Sequence, residues 1–231
     1  MNYNLKPLAR QAGFSNLSGL FLALILFAAI ILVLAGPGIN SAASSSYSNS
    51  ARASSLLTSA SYIQTGFNNA LFQNIDPSQI SFGDSTNGVF NAQVGGVLPQ
   101  ILDPQIFVTT ATHKYWIYRG SRLALEDVGG AANTAGDYTM IAADIKLALC
   151  RQLNNMLHGD SLTATPPAAN DTLANIVGPA VSGGPRFGAD TGAPNVATLH
   201  PAAGNGIDGR LSGCYQASSG EYVYIHTLLP Q

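Results

Sequence analysis

The strongest feature of the hydropathy pattern is an apolar run near the N-terminus. From Leu17 to Ala35 the chain reads LSGLFLALILFAAIILVLA, with one serine and one glycine as the only interruptions. As a helix this run spans about 28 Å, close to the ~30 Å hydrocarbon core of a bilayer. Lys6 and Arg10 precede it, and the next charge is Arg52. The pattern predicts a membrane helix with a cytoplasmic N-terminus and an exported C-terminal domain.

A charge-poor segment rich in serine and alanine follows, from residue 37 to residue 75. Its composition also fits a low-complexity linker. However, several of its residues approximate a helical stripe with a spacing of three or four positions. The stripe comprises Ile39, Ala42, Ala43, Tyr47, Ala51, Ser54, Leu57, Tyr62 and Phe67. Because no proline occurs between Pro37 and Pro77, we predict an amphipathic helix, kinked or broken from the first helix at the Gly-Pro-Gly step.

The remainder, residues 76–231, alternates strand-like and turn-like segments. Runs rich in β-branched and aromatic residues predict strands. These runs are Ile106–Thr110, Tyr115–Tyr118 and Tyr222–Leu229. Leu123–Val128 is a further candidate strand, and Leu211–Gln216 is predicted as the strand before the last turn. Arg119–Ser121 is predicted to be a turn, and the last two strands are predicted to form a terminal hairpin, with Tyr222, Tyr224 and His226 facing away from Val223 and Ile225.

One helix is predicted in this part, from Asp137 to His158. Apolar residues four positions apart line one of its faces, Asp137 is a suitable N-cap, and Gly159 is a suitable stop. Residues 160–201 are dominated by proline, glycine, alanine, asparagine and threonine. We predict a long surface loop there, with one short turn of helix.

Composition and charge exclude nucleic acid as a partner. Hydrophobic residues make up 46% of the chain and charged residues 10%, with a formal net charge of -2. After Arg10 the basic residues are scattered singly. A protein that binds a polyanion needs a basic stripe to displace its counterions, and the sequence has none.

Two cysteines, Cys150 and Cys214, both fall in the predicted exported domain. In an oxidising compartment a disulfide is the default interpretation of such a pair. The alternative is two unrelated buried thiols. A bond would tie the predicted helix to the first strand of the terminal hairpin.

The candidate catalytic motifs are incomplete. Phe82-Gly83-Asp84-Ser85 resembles the nucleophile block of the GDSL hydrolases, but the late Asp-x-x-His that supplies their base is missing. The four histidines, at positions 113, 158, 200 and 226, lack the spacing of a zinc site. No phosphate-binding loop is present either. We therefore predict no enzymatic activity, no cofactor and no metal. An anchored serine hydrolase is a distant alternative, and calcium binding by the segment Gly204–Gly209, with its one carboxylate at Asp208, is left open.

The junction before the apolar run carries a family resemblance. Arg10-Gln11-Ala12-Gly13 is followed by Phe14-Ser15-Asn16-Leu17, which resembles the basic leader, glycine and phenylalanine of the type IV pilin and pseudopilin superfamily. The resemblance implies cleavage after Gly13 by a prepilin peptidase and N-methylation of Phe14. It also implies retention of the apolar helix, a pilin-like α+β fold with a long N-terminal helix on an antiparallel sheet, and a C-terminal disulfide loop at the subunit's exposed edge.

The domains implied are a leader (residues 1–13), a transmembrane or filament-core helix (14–36), an amphipathic continuation (37–75) and a globular domain (76–231). The partners implied are other pilin or pseudopilin subunits, the prepilin peptidase and the bacterial inner membrane, from which the domain would project into the periplasm before assembly. Major pilins carry a glutamate where this chain has Ser18, which favours a minor subunit.

The apolar run has two alternative interpretations, as a permanent anchor or as a secretory signal. A single-pass anchor would carry a periplasmic binding or adhesion domain that never assembles. A secretory signal would be removed near Asn40–Ala43.

Overall fold

The computed structural model describes residues 40–83, 86–125, 137–178, 197–199 and 210–230. The chain divides into two units, Met1–Tyr47 and Ser48–Gln231, and the packing described below is that of the second. The predicted leader (1–13) and the predicted membrane helix (14–36) lie outside the described residues. Among the helices that are described, none combines the length and apolarity needed to cross a membrane.

Helix α1, Asn40–Phe72, lies within the range predicted to be helical. Its content of alanine and serine, without proline, permits a long uninterrupted helix. Its buried side chains recur every three or four positions and are Ala53, Leu56, Ala60, Ile63, Phe67 and Ala70. The stripe of residues predicted to face the core was wrong in its position around the helix, because Tyr47 is 79% and Tyr62 38% exposed. Small residues dominate the segment, so hydropathy alone does not identify the packed face.

Five strands form one sheet in the described part of the chain. They are β1 (Ile117–Leu125), β2 (Asp137–Ile145), β3 (Ala197–Leu199), β4 (Ser212–Gln216) and β5 (Tyr222–Leu229). Their order is β3-β1-β2-β5-β4. The last four are antiparallel neighbours, and β3 joins β1 in parallel. The α+β class and the terminal hairpin are therefore confirmed.

Two shorter helices accompany the sheet: α2 (Leu147–His158) and α3 (Leu173–Val177). Short 3-10 turns occur at Pro77–Gln79 and Pro104–Ile106. Helix α2 ends at Gly159, as predicted. Its φ of 74° lies in the left-handed region, which glycine adopts without steric cost.

The two faces of the sheet pack into separate hydrophobic cores, because side chains alternate along each strand. Met140 and Tyr224 belong to the core that includes α1 and α2. Ile141, Val223 and Ile225 belong to the core that includes α3. The alternation predicted for the last strand is confirmed by this division.

Two contacts hold α1 against the first of these cores. The Trp116 side chain is fully buried, and its Nε1–H donates a hydrogen bond to Ser59 Oγ at 2.9 Å. At Gly66, an added Cβ would lie 2.4 Å from Val97 Cγ2 and 2.8 Å from Val89 Cγ1. The absence of a side chain at Gly66 therefore allows the helix and the 89–97 segment to approach closely.

The prediction of a helix beginning at Asp137 was wrong over its first half. Residues 137–145 form strand β2, all nine of them buried, and the helix begins only at Leu147. A strand covered on both faces has a continuous apolar sequence rather than an alternating one. Periodicity alone does not separate such a run from a buried helix. Asp137 is thus a buried strand residue and not an N-cap.

Three local predictions also differ from the structure. Arg119–Ser121 continues strand β1 through an irregular register instead of forming a turn. The run Ile106–Thr110 is not a strand, although Phe107 forms an isolated bridge to Ile145. The region 160–201 contains the short helix α3, as predicted, and also β3, which the composition did not indicate.

Candidate functional site

The predicted disulfide is present and joins α2 to β4. Cys150 and Cys214 are bonded with their Cα atoms 5.3 Å apart, across 64 residues of sequence. Both are fully buried in the core that includes α1. The bond thus fixes the helix beside a strand that is last in the sheet order.

One turn after Cys150, the side chain of Asn154 completes the backbone hydrogen bonding of Cys214. Its Nδ2 donates to the Cys214 carbonyl at 2.8 Å, and its Oδ1 accepts from the Cys214 amide at 2.8 Å. Asn154 is 3% exposed. A primary amide has both the donor and the acceptor of a peptide group, so Asn154 occupies the place that another strand would take.

The same edge of β4 is covered on both sides of Cys214. His158 Nε2–H donates to the Ser212 carbonyl at 2.8 Å. At Gln216, the amide donates to the Pro167 carbonyl and the carbonyl accepts from the Ala169 amide, both at 2.8 Å. Exposed strand edges invite pairing with other chains. We call the set Asn154, His158 and residues 167–169 the edge cap, since it closes the outer side of β4.

We predict that Asn154→Ala lowers the free energy of unfolding by about 2–3 kcal/mol, because it leaves a buried N–H and a buried C=O without partners. Urea titration measures this loss. Asn155→Ala is the matched control, since the Asn155 side chain donates one hydrogen bond, to the Asp160 carbonyl, and is only partly buried. Equal losses in the two variants would contradict the importance given to the edge cap.

A histidine on β5 lies next to this edge. Ser212 and His226 are cross-strand partners, and Ser212 Oγ lies 2.5 Å from His226 Nδ1. Burial lowers the pKa of His226 to about 4. Its other ring nitrogen, Nε2, is buried and has no hydrogen-bond partner. Among the residues that the structure describes, no carboxylate orients this ring, and the Ser–His contact has no third group of a nucleophilic triad.

The lowered pKa of His226 predicts a pH-dependent stability. Below its ordinary pKa of 6.5, the unfolded chain binds a proton at this imidazole that the folded chain does not bind until about pH 4. The free energy of unfolding should therefore fall as the pH is lowered through this window, by roughly 2–3 kcal/mol. Urea titrations from pH 7 to pH 4 measure the slope. If His226→Asn retained the same slope, another group would be responsible.

A pocket of about 700 Å³ lies on the side of the sheet that packs with α3. Its wall includes Leu173, Val177, His113 and Glu221. Asp144 lies close by: burial raises the pKa of its carboxyl group, and the Glu221 carboxylate raises it further, whereas His113 and the Thr112 amide lower it. The pocket therefore combines an apolar side with an acidic one.

The predicted site residues fall into two groups. Cys150 and Cys214 are brought together as predicted. Gly13 and Phe14 lie outside the described residues, as do Asp84 and Ser85 of the hydrolase-like string. No three histidine, cysteine, aspartate or glutamate side chains within the described ranges are placed to hold a metal ion.

Sequence reasoning missed Asn154 and the edge cap. A usable signal was present, because Cys150, Asn154 and His158 are spaced four apart and share one face of a helix. Glu221 carried no comparable signal, since it is a single acidic residue beside a turn. Comparison with protein-family models, curated proteins and solved structures gave no significant match.

Proposed function

We propose that this chain is a non-enzymatic, membrane-anchored subunit of a type IV pilus or a type II secretion pseudopilus, at a minor position in the filament. The observation that carries the proposal is the continuity of two segments. The apolar run Leu17–Ala35, preceded by Gly13–Phe14, is followed within a few residues by the long helix α1, which has one charged residue.

The surface of α1 supports this proposal. Arg52 is its single charged residue, and its guanidinium pairs with Asp103 at 3.2 Å and with the Gln105 side chain. The exposed positions from residue 45 onward are hydroxyl-bearing, alanine or aromatic residues. They are Ser45, Ser46, Tyr47, Ala51, Ser54, Ser55, Thr58, Ser61, Tyr62, Thr65 and Phe72. A helix surface free of unpaired charge suits packing among other helices better than a solvated role does.

The positions of the disulfide and the sheet also support the pilin proposal. A long N-terminal helix packed on an antiparallel sheet, with a late disulfide at the sheet's last strand, is the arrangement that the resemblance implied. The covered edge of β4 also limits the ways in which subunits associate, because it blocks strand addition there. Assembly would then proceed through the helix.

In the proposed mechanism, residues 14–36 hold the subunit in the inner membrane until assembly. The prepilin peptidase removes residues 1–13, and the apolar helix then moves from lipid into a bundle of subunit helices. Burial among helices replaces burial in lipid, so the segment stays out of water throughout. Ser18 lacks the carboxylate that would pair with a neighbour's N-terminal amine, which is why we favour a minor position.

A periplasmic binding domain on a permanent anchor is the second candidate. The pocket lined by Leu173 and Glu221 favours it, since a filament subunit needs no such cavity. The two candidates differ in cleavage after Gly13, which a pilin subunit undergoes and a permanent anchor does not.

The proposal is tested with Gly13→Asp in the native host, with Ala12→Ser as the matched control beside it. We expect Gly13→Asp to retain its leader on gels and to be absent from the sheared surface fraction. Ala12→Ser should be processed and assembled as the wild type is. If Gly13→Asp were processed and fractionated normally, the pilin proposal would be rejected.

A further inference from the structure

The pocket beside α3 is fixed on two sides by hydrogen bonds. The Leu173 amide donates to Ser219 Oγ at 3.0 Å, and the Ser218 amide donates to the Asp171 carbonyl at 2.9 Å. These bonds attach the α3 wall to the β4–β5 turn, from which Ser219 and Glu221 reach the pocket. The cavity is therefore formed before any ligand arrives.

The segment with Thr112 and His113 forms another part of the wall and is fixed in turn. The Thr112 amide donates to the Asp144 carboxylate. Thr112 Oγ1 lies 2.9 Å from His113 Nδ1, and the His113 ring meets Tyr115 edge-on at 5.8 Å. A volume of about 700 Å³ falls within the range of small-molecule sites, roughly 300–1,000 Å³.

The lining gives the pocket a distinct chemistry. Leu173, Ala174 and Val177 provide apolar surface, whereas Glu221 provides a carboxylate. The Oε2 atom of Glu221 is buried and has no hydrogen-bond partner in the described part of the chain. That atom is closed to a ligand in the cavity, so a bound donor would meet the part of the carboxylate that lines the pocket. A positive charge there would also offset the charge shared with the buried oxygen.

The charges around Glu221 favour a cationic donor. The Asp144 carboxylate lies close enough to interact with it electrostatically. His113 is the one basic side chain in the described lining. Arg119 lies against Gly178, but its side chain does not line the cavity, because the residue is only 4% exposed. A metal ion is a poor fit, because hard cations take several oxygen ligands and the described residues contain no such group.

We propose that this pocket binds a small organic cation, with its ammonium group on Glu221 and its apolar body against Leu173 and Val177. The inference goes beyond assembly and does not depend on it, since the pocket lies on the side of the sheet away from the α1 core. It gives the exported domain a ligand-binding role whether or not the chain enters a filament.

The test uses the full-length chain in a non-ionic maltoside detergent, which has no ammonium group of its own, and the probe n-butylammonium, followed by saturation-transfer NMR. n-Butanol serves as a probe with the same apolar body and no charge. We expect saturable binding of n-butylammonium, with n-butanol binding about tenfold more weakly because it cannot form a charge-assisted hydrogen bond. Equal binding of the two probes would overturn the role of Glu221, and absence of saturable binding would overturn the site.

Three variants locate the binding. Glu221→Gln keeps the shape of the side chain and should weaken n-butylammonium binding about tenfold. Asp76→Asn, at an exposed acid on the 3-10 turn Pro77–Gln79, is the matched control and should change nothing. Ala174→Trp fills the pocket from an exposed position of α3 and should abolish binding while Glu221 stays in place. Wild-type affinity in both Glu221→Gln and Ala174→Trp, with unchanged circular dichroism, would refute the proposal.

Discussion

Protein carrying Cys150→Ser and Cys214→Ser will unfold in urea with a free energy about 4 kcal/mol below that of the oxidised wild type. The bond closes a loop of 64 residues, and in the chain-entropy model a loop of that length removes about this much conformational freedom from the unfolded chain. The loss should appear as a lower midpoint, because α2 and β4 retain their other contacts and the native fold persists.

Reduced wild-type protein is the control for this experiment. It should be at least as stable as the double-serine variant, since both lack the bond and only the variant buries two hydroxyl groups in the core. A difference of less than about 1 kcal/mol between oxidised and reduced protein would contradict the view that the disulfide stabilises the junction of helix and edge strand.

Phe67→Ala should cost about 3–5 kcal/mol of unfolding free energy, the usual range for truncating a buried phenylalanine. Phe67 is fully buried on α1. Its ring centroid lies 6.0 Å from that of Phe82 and 5.9 Å from that of Tyr138 on β2. The substitution removes the largest side chain that α1 places against the sheet and leaves a cavity between them.

Phe72→Ala makes the same change on the same helix at a residue that is 84% exposed. Its effect should stay within about 0.5 kcal/mol. Urea titration of both variants separates packing from helix propensity, because Phe→Ala changes the propensity in the same direction, toward helix, in both. Similar losses in the two proteins would show that α1 is not held through this core.

The regions predicted well are those in which neighbouring residues alone determine the backbone conformation. The terminal hairpin has a glycine-containing turn, in which Gly220 adopts a φ of 102°, followed by a strand rich in β-branched and aromatic residues. Gly159 ends α2 for the same reason of backbone freedom. Tertiary packing does not override these signals, so the sequence predicts them directly.

The regions predicted poorly depend on contacts that are distant in sequence. Strand β2 has the composition of a helix and becomes a strand because β1 and β5 pair with it on either side. The phase of α1 depends on where Gly66 meets Val89 and Val97. Neither fact is encoded within a local window.

The candidate site likewise contains one feature that the sequence predicts and others that depend on distant contacts. The disulfide was predictable from the count of cysteines and their expected compartment. Asn154 was not, because its role depends on lying opposite the Cys214 backbone, 60 residues away in sequence. The pocket at Glu221 depends on a turn, a short helix and the 112–113 segment meeting in space.

Mass spectrometry of the mature N-terminus, on protein purified from native membranes, distinguishes a pilin-like subunit from an anchored or a secreted protein. A pilin-like subunit begins at N-methylated Phe14, with residues 1–13 removed and the apolar run retained. A chain that retains Met1 would contradict the pilin proposal in favour of a permanent anchor, and a chain that begins at Ala42 or Ala43 would contradict it in favour of ordinary secretion.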